Sequence, residues 1–92
     1  MKTESLLKPP ESRALKSGHV TLQPKESIGW HVTDKREELI IVLQGTATIL
    51  EENKETQVKA GETHYIKEDT PHNVVNNSDK ELKYIYIVSL FQ

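Results

Sequence analysis

Short runs of β-favouring residues, separated by turn-forming residues, constrain the fold of this chain more than any other feature. Valine, isoleucine, threonine and tyrosine dominate these runs, and such residues pack well on a pleated sheet. The runs cover residues 19–23, 28–33, 39–43, 46–50, 56–59, 63–66, 73–75 and 82–90. Proline, glycine, asparagine and aspartate lie between them and favour turns. Many short strands at nearly regular spacing predict an antiparallel sandwich or barrel.

The beginning of the chain is expected to lie outside the main domain. Pro9, Pro10 and Gly18 interrupt any helix there, so we expect an N-terminal arm over residues 1–18, with one short extended piece near residues 12–16. A single barrel domain then covers residues 19–92. A chain of 92 residues suits one domain.

Composition excludes several classes of protein. The chain has no cysteine, which rules out disulfides, thiolate zinc sites and a cysteine nucleophile. The formal charge is -2 and the basic residues are scattered, so no nucleic-acid partner is expected. No run approaches the about 20 apolar residues of a membrane helix, and no signal-peptide core is recognisable at the start. These observations predict a cytoplasmic protein with no membrane partner.

Two blocks of the sequence each combine a histidine with a β-run and a turn. Residues 29–45 contain His31 and Glu38, and residues 61–76 contain His72. A barrel can bring such positions together at one divalent metal ion. Neutral imidazole and carboxylate suit zinc, manganese, iron, nickel or copper. Two histidines and one carboxylate would leave coordination positions open, which favours a catalytic or ligand-binding metal over a closed structural one.

The same two blocks resemble the motifs of the cupin family. The first cupin motif is G-x5-H-x-H-x3-4-E-x6-G, and the second is G-x5-P-x-G-x2-H-x3-N. The residues in register with the two motifs are His31, Glu38, Gly45, Gly61, His72 and Asn76. The resemblance covers roughly residues 20–90. It implies an all-β fold, a double-stranded β-helix or jelly-roll barrel, with His31, Glu38 and His72 as metal ligands.

This chain departs from the cupin motifs at four positions, the first being that Gly29 lies two residues before His31 and not six. Thr33 replaces the second histidine, while Lys67 and Asp69 replace the usual proline and glycine. A threonine hydroxyl is a poor ligand for most of these metals, so the departure predicts weak binding or an empty site. His64 is a further candidate ligand, because alternation along a strand puts it on the same face as Ile66.

Several functions remain compatible with the sequence. The leading one is a metal-dependent cupin, either a binder or an enzyme acting on a small sugar or organic acid, with Tyr65 and His64 as candidates for acid–base catalysis. Isomerase, epimerase, decarboxylase and dioxygenase activities all occur in similar proteins. The alternative is a non-catalytic, metal-free module that binds a small molecule. A weaker one is a sensor that partners a separate DNA-binding protein.

A homodimer is the expected assembly. The strand containing Glu38 should present an apolar face on its other side, and the last strand should add apolar area of the same kind. Trp30, next to His31, should point to the opposite face and serve in packing or in the dimer interface. Large exposed apolar patches mark interfaces. This apolar face could meet the second sheet, the N-terminal arm or another subunit. The apolar residues of the two strands are Leu39, Ile41, Leu43, Tyr84, Tyr86 and Phe91.

Three motif residues are expected to act in the fold itself. Gly45 and Gly61 should allow turns with positive φ, which glycine adopts at little cost. Asn76 should close a turn or bind the backbone.

Overall fold

The computed structural model describes residues 1–90, and these form eight β-strands. The strands are β1 (Lys2–Leu7), β2 (Leu15–Leu22), β3 (Glu38–Gln44), β4 (Thr46–Glu51), β5 (Lys54–Lys59), β6 (Thr63–Ile66), β7 (His72–Val75) and β8 (Leu82–Ser89). Within the described residues no helix is long and apolar enough to cross a membrane. The predicted all-β class is confirmed.

Two antiparallel sheets face each other and enclose the core. One has five strands in the order β1-β2-β8-β3-β6, and the other has three in the order β5-β4-β7. Alternate residues of each strand point inward, so Ile40 and Val42 of β3 are fully buried while Leu43 is 48% exposed. From β5 to β8, consecutive strands alternate between the two sheets, as in a jelly-roll barrel. The apolar core contains Val20, Leu22, Ile40, Val42, Ala47, Ile49, Val58, Ile66, Val74, Leu82 and Tyr84.

The predicted arm contains more strand structure than expected. Residues 2–7 form a strand that pairs with β2, in a register that joins Lys2 to Thr21. Strand β2 begins at Leu15 rather than at residue 19, because β8 continues the ladder as far as the Leu15–Ser89 pair. Pairing with a long neighbouring strand supplies backbone hydrogen bonds that local sequence preference does not reveal.

Residues 28–33 do not form the predicted strand. Gly29 has a φ of +103°, which breaks the extended conformation. This segment keeps one isolated bridge, from His31 to His72. It therefore forms a loop between β2 and β3 that follows the edge of the three-stranded sheet, and this loop carries one of the candidate ligands.

The three structural predictions for motif residues are confirmed. Gly45 and Gly61 have φ values of +82° and +87°. A Cβ on Gly45 would lie 2.6 Å from the carbonyl oxygen of Glu81, so this position also needs the absence of a side chain. Asn76 is fully buried, and its amide donates hydrogen bonds to the carbonyls of Leu22 at 3.0 Å and Lys80 at 2.7 Å.

Candidate metal centre

The structure brings His31, Glu38 and His72 together. Each offers one ligand atom, and these atoms all lie within 4.8 Å of one another. Glu38 begins β3 of the five-stranded sheet, and His72 begins β7 of the three-stranded sheet. The cluster therefore joins the two sheets between the strand ends, with His31 of the β2–β3 loop on its exposed side.

A backbone bridge holds the two imidazoles side by side. The amide of His31 donates to the carbonyl of His72 at 2.9 Å, and the amide of His72 donates back at 2.9 Å. Directly opposite residues in an antiparallel pair point to the same face. The ring centroids are accordingly 4.1 Å apart, in an edge-to-face arrangement.

Backbone carbonyls fix the tautomer of both rings. His72 Nδ1 donates to the carbonyl of Thr70 at 2.8 Å, and His31 Nδ1 donates to the carbonyl of Gly29 at 2.9 Å. A carbonyl only accepts hydrogen bonds, so the proton must be on Nδ1 in each case. The Nε2 lone pairs are then available, and metal-bound histidines are typically oriented in this way.

The Nε2 atom of His72 is the most informative atom of the cluster. It is buried and has no hydrogen-bond partner within the described residues. Its distance from Glu38 Oε1 is 3.4 Å. Ligands about 2.1 Å from a tetrahedral zinc ion stand about 3.4 Å apart. Because an unpaired buried nitrogen is costly, a divalent cation between these groups fits both the chemistry and the spacing.

Electrostatics favours a positive charge at this point. Burial lowers the pKa of His72, but the Glu38 carboxylate and the Thr70 carbonyl together outweigh it and raise the pKa above the ordinary value of 6.5. Glu38 itself is only 7% exposed. A proton or a metal ion can supply the charge that the carboxylate attracts, and the two must compete for Nε2.

Thr33 interacts with the cluster through a carboxylate. Its hydroxyl donates to Glu38 Oε1 at 3.0 Å. It therefore restrains the carboxylate, and it leaves Oε2 outside this hydrogen bond. Hydrogen bonds of this kind orient ligands and raise metal affinity.

Two non-glycine residues adopt the left-handed conformation where the cupin motifs have glycine. Lys25 lies six residues before His31 and has a φ of +72°, and Asp69 has a φ of +58°. Aspartate tolerates this conformation better than most residues. Its side chain also accepts a hydrogen bond from the amide of Lys35 at 2.7 Å. This bond ties the loop after β6 to the loop that carries Thr33.

The structure does not bring His64 and Tyr65 to the cluster. His64 points inward, as predicted, but its Nε2 donates to Glu51 Oε1 at 2.7 Å. Tyr65 lies on the outer face of β6, is 56% exposed, and donates to Glu37 Oε1 at 2.8 Å. Neither residue lines the cavity beside the cluster.

A cavity of about 780 Å³ opens beside His31 and Glu38. This volume is in the range of small-molecule sites. Trp30 lines it and is 57% exposed. The other residues that line it are Thr3, Lys16, Val20, Ile28, Gly29, Val32, Thr33, Asp34, Lys35, Arg36, Val74, Tyr84, Tyr86 and Val88.

The expectation that Tyr84 and Tyr86 add to the outer apolar area is wrong, because both line the cavity. Phe91 lies outside the described residues. Tyr84 is 2% exposed. Burial raises its pKa well above the ordinary value, and the charges of Glu38 and Tyr86 act in the same direction. At neutral pH the Tyr84 hydroxyl is therefore protonated and able to donate.

Tyr86 takes its position because β2 has a glycine opposite it. Gly18 and Tyr86 are register partners. A Cβ on Gly18 would lie 2.6 Å from Cε2 of Tyr86. The phenol ring therefore lies across the backbone of β2 and forms part of the cavity wall. The sequence signal that relates these two tyrosines is alternation along the last strand, which puts Tyr84 and Tyr86 on the same face as the buried Leu82.

Comparison with known proteins agrees with this architecture. The family model described as Cupin domain matches residues 18–88, and the chain therefore belongs to the cupin family. No curated protein matches the chain.

Solved structures with the same fold are numerous, and three illustrate the likeness. A predicted oxalate decarboxylase from Thermotoga maritima has a TM-score of 0.87 and 21% identity, over 97% of this chain and 79% of that one. KdgF from Halomonas sp. has a TM-score of 0.83 and 16% identity, over 98% and 78%. A Cupin 2 conserved barrel domain protein from Salinispora arenicola has a TM-score of 0.83 and 20% identity, over 95% and 73%. At these identities the likeness concerns the fold alone.

Proposed function

We propose that this cupin binds one divalent transition-metal ion through His31, Glu38 and His72, and that it uses the ion to act on a small sugar or organic acid. The single observation that carries the proposal is the unpartnered, buried Nε2 of His72. The fixed tautomers of both histidines support it, because each ring keeps its Nδ1 proton on a carbonyl. The cavity beside the cluster supplies room for the substrate.

Three protein ligands leave coordination positions for substrate or water. When bound, such an ion acts as a Lewis acid that polarises a substrate oxygen, or lowers the pKa of a bound water. The chain's own groups would restrict how a substrate lies. Thr33 restrains Glu38, and the apolar side chains of Ile28 and Val74 form part of the wall.

Calorimetric titration with zinc, manganese, iron, nickel and copper tests this proposal. The wild-type protein should take up one equivalent of at least one of these ions, and His31→Ala should weaken binding at least about 100-fold. His19→Ala is the matched control, because His19 lies in β2 outside the cluster, and it should bind as the wild type does. His64→Ala should also leave the affinity unchanged. Equal affinity in His31→Ala and the wild type would overturn the proposal.

A ligand-binding module without a metal is the second candidate. The observation that favours it is Thr33, which occupies the position of the second histidine and donates to the carboxylate. A panel of small sugars and organic acids, assayed for turnover with metal and with chelator, separates the two candidates. Metal-dependent turnover favours the enzyme, whereas binding that is unchanged by chelator favours the module.

We also propose that a second copy of the chain covers the outer face of the five-stranded sheet. Leu39 and Ile41 of β3 pair with Ile87 and Ile85 of β8 on this face. All four are only partly buried, and Leu43 is 48% exposed. Together they form an apolar patch of the kind that marks interfaces. The predicted cytoplasmic location stays a prediction.

Mass measurement by light scattering tests the dimer. The wild-type protein should have twice the mass of one chain, and Leu43→Glu should shift it towards the monomer. Leu6→Glu is the control, because Leu6 is similarly exposed, at 51%, but lies on the edge strand β1, which two strands separate from β3. A wild-type mass of one chain at micromolar concentration would contradict the dimer.

A further inference from the structure

The hydroxyl of Tyr84 has no hydrogen-bond partner among the described residues. Tyr65 is the one tyrosine whose hydroxyl takes part in a hydrogen bond within residues 1–90. Tyr84 is 2% exposed and lines the cavity with Glu38. Within the described residues His72 Nε2 is the only buried side-chain nitrogen or oxygen without a partner, so the Tyr84 hydroxyl is accessible from the cavity. A ligand bound there can therefore accept its hydrogen bond.

The charge around the cavity indicates the class of that ligand. Lys16, Lys35 and Arg36 line it, against the carboxylates of Asp34 and Glu38. A divalent ion on Glu38 would offset that carboxylate and leave three cationic side chains against the single carboxylate of Asp34. Clefts lined by one sign of charge concentrate ligands of the opposite sign.

The rest of the wall is apolar. Val20, Ile28, Val74 and Val88 line the cavity on its inner side. Two of them, Val20 and Val74, are almost fully buried. A ligand that suits this cavity therefore combines an anionic oxygen group with a short apolar body.

We infer that the ligand of this cavity is a small carboxylate, and that Tyr84 binds it by donating its hydroxyl hydrogen to a carboxylate oxygen. The inference rests on the proposed metal site, because the unneutralised charge of Glu38 would repel a carboxylate. It goes further in two respects. It selects organic acids over neutral sugars, and it assigns the hydrogen-bond donor to a residue outside both cupin motifs.

The test uses zinc-loaded protein and four probes. Butyrate and glycolate are the charged probes, and butyramide and glycolamide are their uncharged matches. Trp30 is the only tryptophan of the chain and lines the cavity, so its fluorescence reports binding. Tyr84→Phe removes one oxygen from the cavity, and Tyr65→Phe makes the same change outside it.

At least one carboxylate should bind the wild type at least about 10-fold more tightly than its amide. Tyr84→Phe should weaken carboxylate binding about 10-fold, the usual effect of losing a hydrogen bond to a charged group. Tyr65→Phe should have no effect, and zinc affinity measured by calorimetry should be the same in all three proteins.

The outcomes distinguish this inference from the proposed function. If zinc binds as expected but no carboxylate does, or if Tyr84→Phe binds carboxylate as tightly as the wild type, the inference alone is overturned. If the wild type takes up no zinc or other transition-metal ion, both are overturned. Equal affinity for carboxylates and their amides would overturn the assignment of the ligand class.

Discussion

Replacing Thr33 by valine should weaken metal binding without unfolding the protein. Valine has nearly the same shape as threonine, so the change removes one hydroxyl and little else. That hydroxyl donates to Glu38 Oε1 at 3.0 Å. Its loss leaves the carboxylate without the donor that restrains it, while His31 and His72 keep their own hydrogen bonds to backbone carbonyls.

The expected size of the effect follows from this single bond. A hydrogen bond to a charged group contributes about 1.5–3 kcal/mol, and about 1.4 kcal/mol is a factor of ten in affinity. Loss of groups that orient metal ligands typically costs about 10- to 100-fold. We therefore expect zinc affinity to fall at least about 10-fold in Thr33→Val.

Competition with a coloured chelator measures this change in affinity. Thr63→Val is the matched control, because Thr63 is exposed on the neighbouring strand and pairs with Ile41. It should bind zinc as the wild type does. An unchanged zinc affinity in a folded Thr33→Val protein would refute the role assigned to Thr33.

Three further predictions concern stability. The metal-free protein should lose stability as pH rises. The folded-state pKa of His72 lies above the ordinary value of 6.5. The stabilisation that protonated His72 gives to the folded state is therefore fully present below about pH 6.5 and disappears as pH rises through the folded pKa. Urea titrations should show this decline in the wild type and a smaller one in Glu38→Gln, and a wild-type profile that rises over this range would contradict it. Asn76→Ala should cost about 2–3 kcal/mol, because it leaves the buried carbonyl of Leu22 unpaired and removes the hydrogen bonds to Lys80 and Ser78. Asn77→Ala at the exposed neighbour should cost little; equal losses would argue against the buried network. Gly45→Ala should destabilise the fold by roughly 2 kcal/mol or more, clearly more than Gly61→Ala does. Both glycines have a positive φ, but only Gly45 faces the Glu81 carbonyl. Thermal unfolding that ranks the two variants in the reverse order would contradict this explanation.

Residues that repeat with the period of a strand could be predicted from the sequence. Ile40 and Val42 alternate with half-buried neighbours as expected, and the strands from β3 to β8 lie within about two residues of their predicted bounds. The candidate metal ligands could be predicted from the sequence for a related reason. Motif spacing fixes the register of His31, Glu38 and His72 relative to turns, and the barrel converts that register into proximity.

Contacts between distant segments could not be predicted in this way. The pairing of β1 with β2 depends on backbone hydrogen bonds that any sequence can form. Alternation along β8 groups Tyr84 with Leu82 and Tyr86, but it does not say which of the two faces of the strand is covered by the second sheet. The inward position of Tyr84 depends on which side of β8 the second sheet covers.

The role of Thr33 was only partly visible from the sequence. Its residue type shows that an imidazole ligand is missing. Its hydrogen bond to Glu38 depends on how the loop after Gly29 folds back over β3. The sequence therefore predicted a deficiency at this position, whereas the structure indicates a different contribution to the same site.

Anomalous X-ray diffraction from crystals of the zinc-loaded protein, recorded at the zinc absorption edge, tests the central claim most directly. We expect one strong peak about 2.0–2.2 Å from His31 Nε2, His72 Nε2 and a carboxylate oxygen of Glu38. No peak between these three residues, or a peak at His64 and Glu51 instead, would contradict the assignment of the metal site.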